Sequence, residues 1–297
     1  MEVRERLIFH AEKEYQKLDF FLKSHGISRR IITKLKYAGC LLINGDPATV
    51  IQPVCQGDTV TIRFPREETL SCLPQKGDLR ILYEDRDILV LDKPYGIATH
   101  PALGTKDGTL GNFVSCYFLE EGCPMPFRPI HRLDKTTSGV IVVAKHALAH
   151  YHLAEQMKNR TFQKKYLALV WSVPKTKKGK ITFPIARESE TSLRRICHPN
   201  GKEAETCYRL LHHTETASLL ELKIRTGRTH QIRVHLQAIG HPVIGDTVYG
   251  GIKGDRLYLH SYQAKLIHPI TGNAMTFCAP CDFASVLQTF GKEDPTL

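Results

Sequence analysis

No apolar run in this 297-residue chain approaches the roughly 20 residues that a membrane-spanning helix needs. Met1 to Arg6 has neither the apolar stretch nor the cleavage site of a secretory leader, so a cytoplasmic protein is expected. Nine cysteines, an odd number with no regular framework, fit reduced thiols. Cys278-Ala279-Pro280-Cys281 has the spacing of half a zinc site or of a redox pair. No second Cys-x-x-Cys exists and no His pair follows Cys281 to complete a zinc site, and a redox pair would need a thioredoxin-like βαβ unit. None of the 15 histidines forms His-Glu-x-x-His. The glycines follow neither a dinucleotide nor a phosphate-loop pattern, and no Gly-x-Ser-x-Gly elbow is present. No metal, nucleotide or other cofactor is expected. Internal repeats and low-complexity tracts are also missing.

Positive charge is in excess. Lys and Arg outnumber Asp and Glu by 41 to 30, a formal net charge of +11, which favours a polyanionic partner. Residues 158 to 202 hold twelve Lys or Arg against only Glu188 and Glu190. A second cluster, Lys23, Arg29, Arg30, Lys34 and Lys36, lies in a segment from 20 to 45 with no acidic residue. A short basic run is usually a solvated face, but two separate patches are what a phosphate backbone needs. Neither is followed by the large apolar helix face of an interfacial anchor, so no membrane partner is expected.

The chemistry is concentrated in Ile130-His131-Arg132-Leu133-Asp134-Lys135-Thr136-Thr137-Ser138-Gly139-Val140-Ile141-Val142-Val143. Asp134 stands between Arg132 and Lys135, with His131 close by, and nearby opposite charges favour an ionised carboxylate. Four consecutive β-branched residues after Gly139 read as a central strand. The polar turn Thr136 to Gly139 mounts Asp134 on that rigid strand while leaving it in reach of a cleft, as a nucleophile or base requires. An isolated Asp-Lys pair is most often a surface salt bridge. The whole string is more specific.

It resembles the signature of the RluA family of pseudouridine synthases, His-Arg-Leu-Asp followed by a short spacer and Thr-Ser-Gly. One departure is Thr136, where many members carry Asp. Three further stretches resemble that family: Leu91 to Pro101, Lys164 to Val170 around Tyr166, and Thr226-Gly227-Arg228-Thr229-His230-Gln231-Ile232-Arg233-Val234-His235-Leu236. So do Leu257 to His260 and Leu266 to Pro269, so the likeness spans almost the whole chain. Residues 1–62, with Leu18-Asp19, Ser28-Arg29, Gly39, Asn44-Gly45 and Gly57-Asp58-Thr59-Val60 in place, resemble the S4 RNA-binding domain. On its second helix, Arg30 and Lys34 share one face, with Arg29 beside them, where they can straddle phosphates.

Periodicity orders the rest. Helices are predicted near Leu18 to Gly26, from Ser28 through Tyr37, near Leu110 to Leu119 and over 146–159. Residues 63–78 lack apolar periodicity and read as a linker, with a catalytic domain over 79–297. Strands are predicted at Arg80–Tyr83, Ile88–Leu91 and Phe162–Trp171. Alternation at Ala204 to Leu210 and Leu220 to Ile224 predicts an antiparallel pair with one wet face. Thr229 is expected to cap a helix stopping at Gly240, with Arg228 at its N-terminus, where a cation needs an anion nearby.

The expectation is therefore α+β: a pseudouridine synthase fold with a mixed, mostly antiparallel sheet, plus a small S4-like domain. The resemblance implies isomerisation of uridine to pseudouridine in RNA, ribosomal rather than transfer RNA, by a monomer. It implies Asp134 as nucleophile, either adding to the base or assisting its loss from the ribose. It further implies Tyr166 stacked on the ring or handling a proton, Arg228 paired with Asp134, and His131 and Arg132 on the substrate. A non-catalytic RNA-binding or ribosome-assembly protein is the rival from another class, and the presence of Asp134, Tyr166 and Arg228 argues against it. A base-releasing hydrolase would need a second carboxylate, and none stands near Asp134 in sequence.

Overall fold

Apolar residues at helical spacing and β-branched runs sort the chain into two main sheets with helices laid on them. The computed structural model describes residues 6–64, 69–102, 104–250 and 254–290. In the N-terminal part come β1 (Arg6–His10), α1 (Leu18–Ser24), α2 (Arg29–Tyr37), β2 (Leu41–Ile43), β3 (Asp46–Pro47) and β4 (Thr59–Arg63). The strands form a sheet ordered β1-β4-β2-β3. Leu18, Phe21 and Leu22 are fully buried, as one face at i, i+3, i+4 spacing should be. The Ser28 hydroxyl caps α2 by accepting from Ile31 N–H at 3.4 Å. Asn44 and Gly45 have φ of 52° and 95°, the left-handed pair that a two-residue hairpin demands. β1 was not anticipated. Its five residues alternate too briefly to stand out, and it exists by pairing with β4, Leu7 opposite Ile62.

Next in order are β5 (Ile81–Glu84), β6 (Ile88–Lys93), α3 (Leu110–Glu120), β7 (Ser138–Ala144), α4 (Ala147–Lys158), β8 (Gln163–Trp171), β9 (Lys178–Ile181), β10 (Ile185–Arg187) and β11 (Arg195–Cys197). The chain continues through β12 (Thr206–His213), β13 (Ala217–Ile224), α5 (Gln231–Ala238), β14 (Leu259–Ile267), β15 (Ala274–Cys278) and α6 (Phe283–Leu287). Among the described residues nine strands build one sheet, ordered β5-β6-β7-β14-β8-β13-β12-β9, with β15 also on β14. β7 and β14 run parallel, His260 opposite Ser138, within an otherwise antiparallel sheet. The expected α+β class with a mixed, mostly antiparallel sheet is what is observed.

Val140 and Val142 pack with Leu153 of α4 on one face, while Ile141 and Val143 pack with Val114 and Phe118 of α3 on the other. A strand covered on both sides needs no polar alternation, hence the unbroken β-branched run. Gly139 has φ of 113°, and a Cβ there would lie 2.3 Å from the Ser261 carbonyl oxygen. Only glycine lets β14 close on β7 immediately after the Asp134 turn.

Three expectations need correction. The wet face of β13 opens only at its end, where Lys223 is exposed; earlier on the same face Ala217 and Leu219 pack with Phe283 and Leu287 of α6, and Glu221 is only 9% exposed. The strands expected at Leu257–His260 and Leu266–Pro269 are replaced by the continuous β14, which passes the polar Ser261-Tyr262-Gln263 through a register shift against β8. The linker is not a free tether over its described part. Asn112 of α3 donates to Leu73 O at 2.8 Å and its carbonyl accepts from Gln75 N–H at 3.2 Å, while Ser71 Oγ accepts from Phe127 N–H at 2.9 Å. Residues 71–77 are strapped onto α3, and residues 65–68 of the expected linker lie outside the described residues.

The N-terminal core does not end at its own sheet. Leu148 of α4 belongs to the same apolar cluster as Phe21 and Leu22, with Tyr151 and Ile270 packed against it, and the Phe64 and His146 rings stack at 4.6 Å. Deleting residues 1–64 should therefore leave a folded remainder with an apolar scar. Its Tm should fall by roughly 5–10 °C, from a few kcal/mol of lost burial, with binding of an environment-sensitive apolar dye. An unchanged Tm without dye binding would show that the two cores do not share this contact in solution.

Candidate active site

Asp134 follows Leu133, and the backbone on both sides is clamped by the segment leaving β6. The Thr99 hydroxyl donates to Leu133 O at 2.7 Å and accepts from Leu133 N–H at 3.2 Å. Lys135 O accepts from Gly96 N–H at 2.9 Å and from the Lys93 ammonium at 3.4 Å. Lys93 Nζ also donates to Pro94 O and Ile97 O, at 2.9 and 2.6 Å, with its side chain fully enclosed. Thr137 N–H closes the turn onto Asp134 O at 3.0 Å. The Asp134 side chain stays about one third exposed.

Two groups at the start of α5 face this carboxylate. Arg233 Nη1 and His230 Nε2 each lie 3.8 Å from Asp134 Oδ2, too far for a hydrogen bond, with the guanidinium close enough for strong Coulomb attraction. Arg233 is aimed by a second acid. Its Nε and Nη2 donate to Asp246 at 2.7 and 2.8 Å, leaving Nη1 for the cleft. Asp246 is itself fixed by the N–H groups of Val248 and Tyr249, at 3.0 and 3.1 Å. The Arg233 guanidinium also stacks over the Tyr249 ring, 4.9 Å from its centroid.

His230 has a left-handed backbone, φ 57°, at the N-cap of α5, strain that a non-glycine residue adopts when its surroundings require it. Its Nδ1 lies 2.9 Å from the Tyr249 hydroxyl, which accepts from Arg195 N–H at 2.8 Å. The contact fixes the orientation of the imidazole and leaves Nε2 facing Asp134. Burial, opposed by the Asp134 charge, pushes the His230 pKa below its ordinary value, so the ring is neutral at pH 7.

Tyr166 lies on β8, 4% exposed, packed with Leu133, Ile232 and Leu222. Burial above all, and then the Asp134 charge, raises its pKa well beyond that of a free phenol. It is a proton-bearing ring in the wall of the cleft.

The other expected residues are distributed differently. Arg228 is exposed and its Nε donates to Glu203 O at 3.0 Å, so the expected pairing with Asp134 is replaced by that of Arg233. The cause is Gln231, whose Oε1 accepts from Arg228 N–H and from the Thr226 hydroxyl while its Nε2 donates to Glu205 O. This fastens the loop, makes His230 rather than Thr229 the N-cap, and turns Arg228 outward. Arg233, in the first turn of α5, then points inward. Both arginines stand in the same sequence block, and inward spacing with Ile232 and Leu236 was the available signal for Arg233. His131 is buried, edge-on to Phe162 at 5.7 Å, and burial and then Lys164 hold its pKa well below the ordinary value, so it belongs to the cleft wall rather than to a substrate contact. Arg132 is exposed beside Asp134, and Arg29, Arg30 and Lys34 are exposed on α2.

Asp85, Asp87 and His268 bring possible ligand atoms within 4.8 Å of one another, but at the end of β6 opposite to Lys93. These atoms are already engaged, His268 with Asp85 and His146 with Asp87, both at 2.9 Å, so the group pins the β5–β6 hairpin. Cys278 and Cys281 are free thiols, and burial pushes Cys281 up to about 11, which suits neither a thiolate nucleophile nor a metal ligand.

The family model described as RNA pseudouridylate synthase matches residues 87–238, the stretch containing Asp134, Tyr166, His230 and Arg233. The chain belongs to that family. The synthase is 40% identical over 245 residues to an uncharacterized RNA pseudouridine synthase, YhcT, of Bacillus subtilis (strain 168), covering 80% of each chain. It is 38% identical over 244 residues to ribosomal large subunit pseudouridine synthase D of Yersinia pestis, covering 77% of this chain and 75% of that one. Among solved structures, human RNA pseudouridylate synthase domain containing 1 superposes with a TM-score of 0.58 at 30% identity, over 71% of this chain and 86% of the other. The large sheet is thus a pseudouridine synthase fold.

Burial drives the Lys93 pKa down to about 7, opposed by the Asp134 charge. Between pH 7 and 10.5 the unfolded synthase holds a proton that the folded one has lost, so this group makes stability rise with pH across that window. Lys93→Met removes the rise. In urea denaturation, the stability advantage of the wild type over Lys93→Met should be larger at pH 9.5 than at pH 7, and an equal gap at both would refute the burial of a titrating ammonium.

Proposed function

We propose that the synthase converts specific uridines of large-subunit ribosomal RNA to pseudouridine, with Asp134 as nucleophile, in the cytoplasm. The observation that carries this reading is the Asp134 carboxylate itself: clamped in backbone, open to the cleft, and faced at 3.8 Å by two groups that attract it without occupying its lone pairs. The bond from the ribose anomeric carbon to nitrogen 1 breaks, the uracil turns, and a bond to carbon 5 forms as carbon 5 gives up its proton and nitrogen 1 takes one up. Atoms are conserved, and no redox partner is needed. A carboxylate serves by adding to carbon 6 or by assisting loss of the base. Tyr166, protonated and buried beside Leu133, is the ring we assign to stack on the uracil. Arg132 is the side chain available to fill the space that a flipped uridine vacates, flipping costing a few kcal/mol.

Ribosomal RNA is favoured over transfer RNA by relatives 37–38% identical, the ribosomal large subunit pseudouridine synthases D of Yersinia pestis and Escherichia coli O6:H1 among them. The N-terminal sheet with α1 and α2 is read as an S4-like RNA-binding domain over residues 1–62. Its support is the capped α2 presenting Arg29, Arg30 and Lys34 to solvent. Mapping pseudouridines in total RNA from a deletion strain tests the target. Missing modifications confined to transfer RNA would overturn it.

Asp134→Asn should abolish pseudouridine formation while sparing RNA binding, because the amide is isosteric but not nucleophilic. Activity within a factor of ten of wild type would sink the nucleophile assignment. Arg233→Ala should lower the single-turnover rate at saturating enzyme by at least about 100-fold, with a smaller change in RNA affinity, the pattern of a lost transition-state role. Arg233→Lys should recover only part, since an ammonium cannot hold Asp246 in a fork and still reach the cleft. Arg228→Ala should leave that rate near normal. The reverse order of effects would restore Arg228 as the partner of Asp134.

A further inference from the structure

The face of the large sheet turned away from Tyr166 carries a basic groove that the catalytic site does not use. Side chains alternate along a strand, so Lys165 projects to the opposite face from Tyr166. Register then sets a row across four strands: Lys180 opposite Cys207, Cys207 opposite Lys223, and Lys223 opposite Lys165. One pleat along, Lys178 faces Arg209 and Arg209 faces Glu221. Lys165, Lys178, Arg209, Glu221 and Lys223 line an open cavity of about 380 Å³.

The charges in it do not balance. Glu221 is the single carboxylate among these lining residues, and it is already taken by Lys165 at 3.1 Å, by Arg209 at 3.2 Å and by the Tyr262 hydroxyl. Among the described residues Lys178 and Lys223 form no ion pair with a carboxylate. Lysines on an edge strand ward off pairing with other sheets, which accounts for Lys178 and Lys180 on β9. That explanation fails for β13 and β8, which are interior. There Lys223 stands directly opposite Lys165, a like-charge pair that costs stability. A local conflict of this kind without a packing gain marks a functional surface.

We propose that this groove is a second binding site for the phosphate backbone of the substrate RNA, holding a strand that has left the Asp134 cleft around the β9 edge. The inference rests on RNA being the substrate. Basic residues stand at both places. Arg194 stacks toward Tyr249 and Arg195 N–H bonds its hydroxyl beside His230, while Lys175 and Lys177 precede β9. An open trough with cations spread over neighbouring strands, roughly 4.8 Å apart, suits a polyanion laid across it; an isolated phosphate would need a closed nest of donors.

The test uses the full chain with Lys178→Glu and Lys223→Glu together and single-stranded poly(U) as the probe, in fluorescence anisotropy over a potassium chloride series. Each lost phosphate contact removes ~0.7 from the slope of log affinity against log salt, so the slope should become shallower by about 1.4, with weaker binding throughout. Single-turnover pseudouridine formation at saturating enzyme should match the wild type. An unchanged slope overturns the proposal, and so does a slope change accompanied by a lost single-turnover rate. If the double reversal does not fold, Lys178→Gln with Lys223→Gln reads the same slope. Wild-type poly(U) binding combined with lost binding to phosphatidylserine vesicles would assign the groove to lipid and also overturn it. A wild-type protein that forms no pseudouridine in ribosomal RNA contradicts the proposed target and leaves the poly(U) slope readable.

Discussion

Lys93 is a cation where cations are costly, and the geometry of the Asp134 turn depends on it. Its ammonium reaches three carbonyl oxygens, two in its own loop and one at Lys135, so the turn bearing the carboxylate is tied to the end of β6. The Thr99 hydroxyl repeats the tie one residue earlier, at Leu133. A side chain mounted on a loop can be as well placed as one on a strand when both flanking peptides are bonded, and that is the arrangement here. The desolvation that lowers the Lys93 pKa is the cost of this rigidity, and the Asp134 charge offsets part of it.

Opposite that turn, α5 supplies a field rather than a set of contacts. Asp246 accepts two of the Arg233 donors and thereby aims the third, and the Tyr249 hydroxyl holds the His230 ring by its Nδ1 edge. Both groups stop 3.8 Å from the carboxylate. Electrostatic preorganisation of this sort costs no rearrangement during the reaction. It leaves the lone pairs of the carboxylate free, and a strained His230 backbone is a reasonable price for it.

Much of this was legible from residue order. The capped α2, the buried β7 and the Asp134 turn follow from patterns within a dozen neighbours, and the Val140 to Val143 run declared a strand covered on both faces. What escaped depends on distant partners. β1 exists because β4 accepts it, the first half of β13 is covered by α6 from the C-terminal end, and Leu148 serves a core begun more than a hundred residues earlier. Arg228 and Arg233 were both visible in one block. Choosing between them required knowing that Gln231 would bind the preceding loop, a side-chain event that apolar periodicity does not report.

The parallel pairing of β7 with β14 also sets an order of assembly. Ser138, four residues beyond Asp134, is bonded to His260, 122 positions later, and Gly139 is shaped to receive Ser261. During synthesis, β7 leaves the ribosome with one edge satisfied by β6 and the other bare until β14 is made. Pairings so remote in sequence form late and slowly. The N-terminal sheet and its exposed basic α2 can hence be complete while the large sheet beside the Asp134 turn still lacks its partner strand.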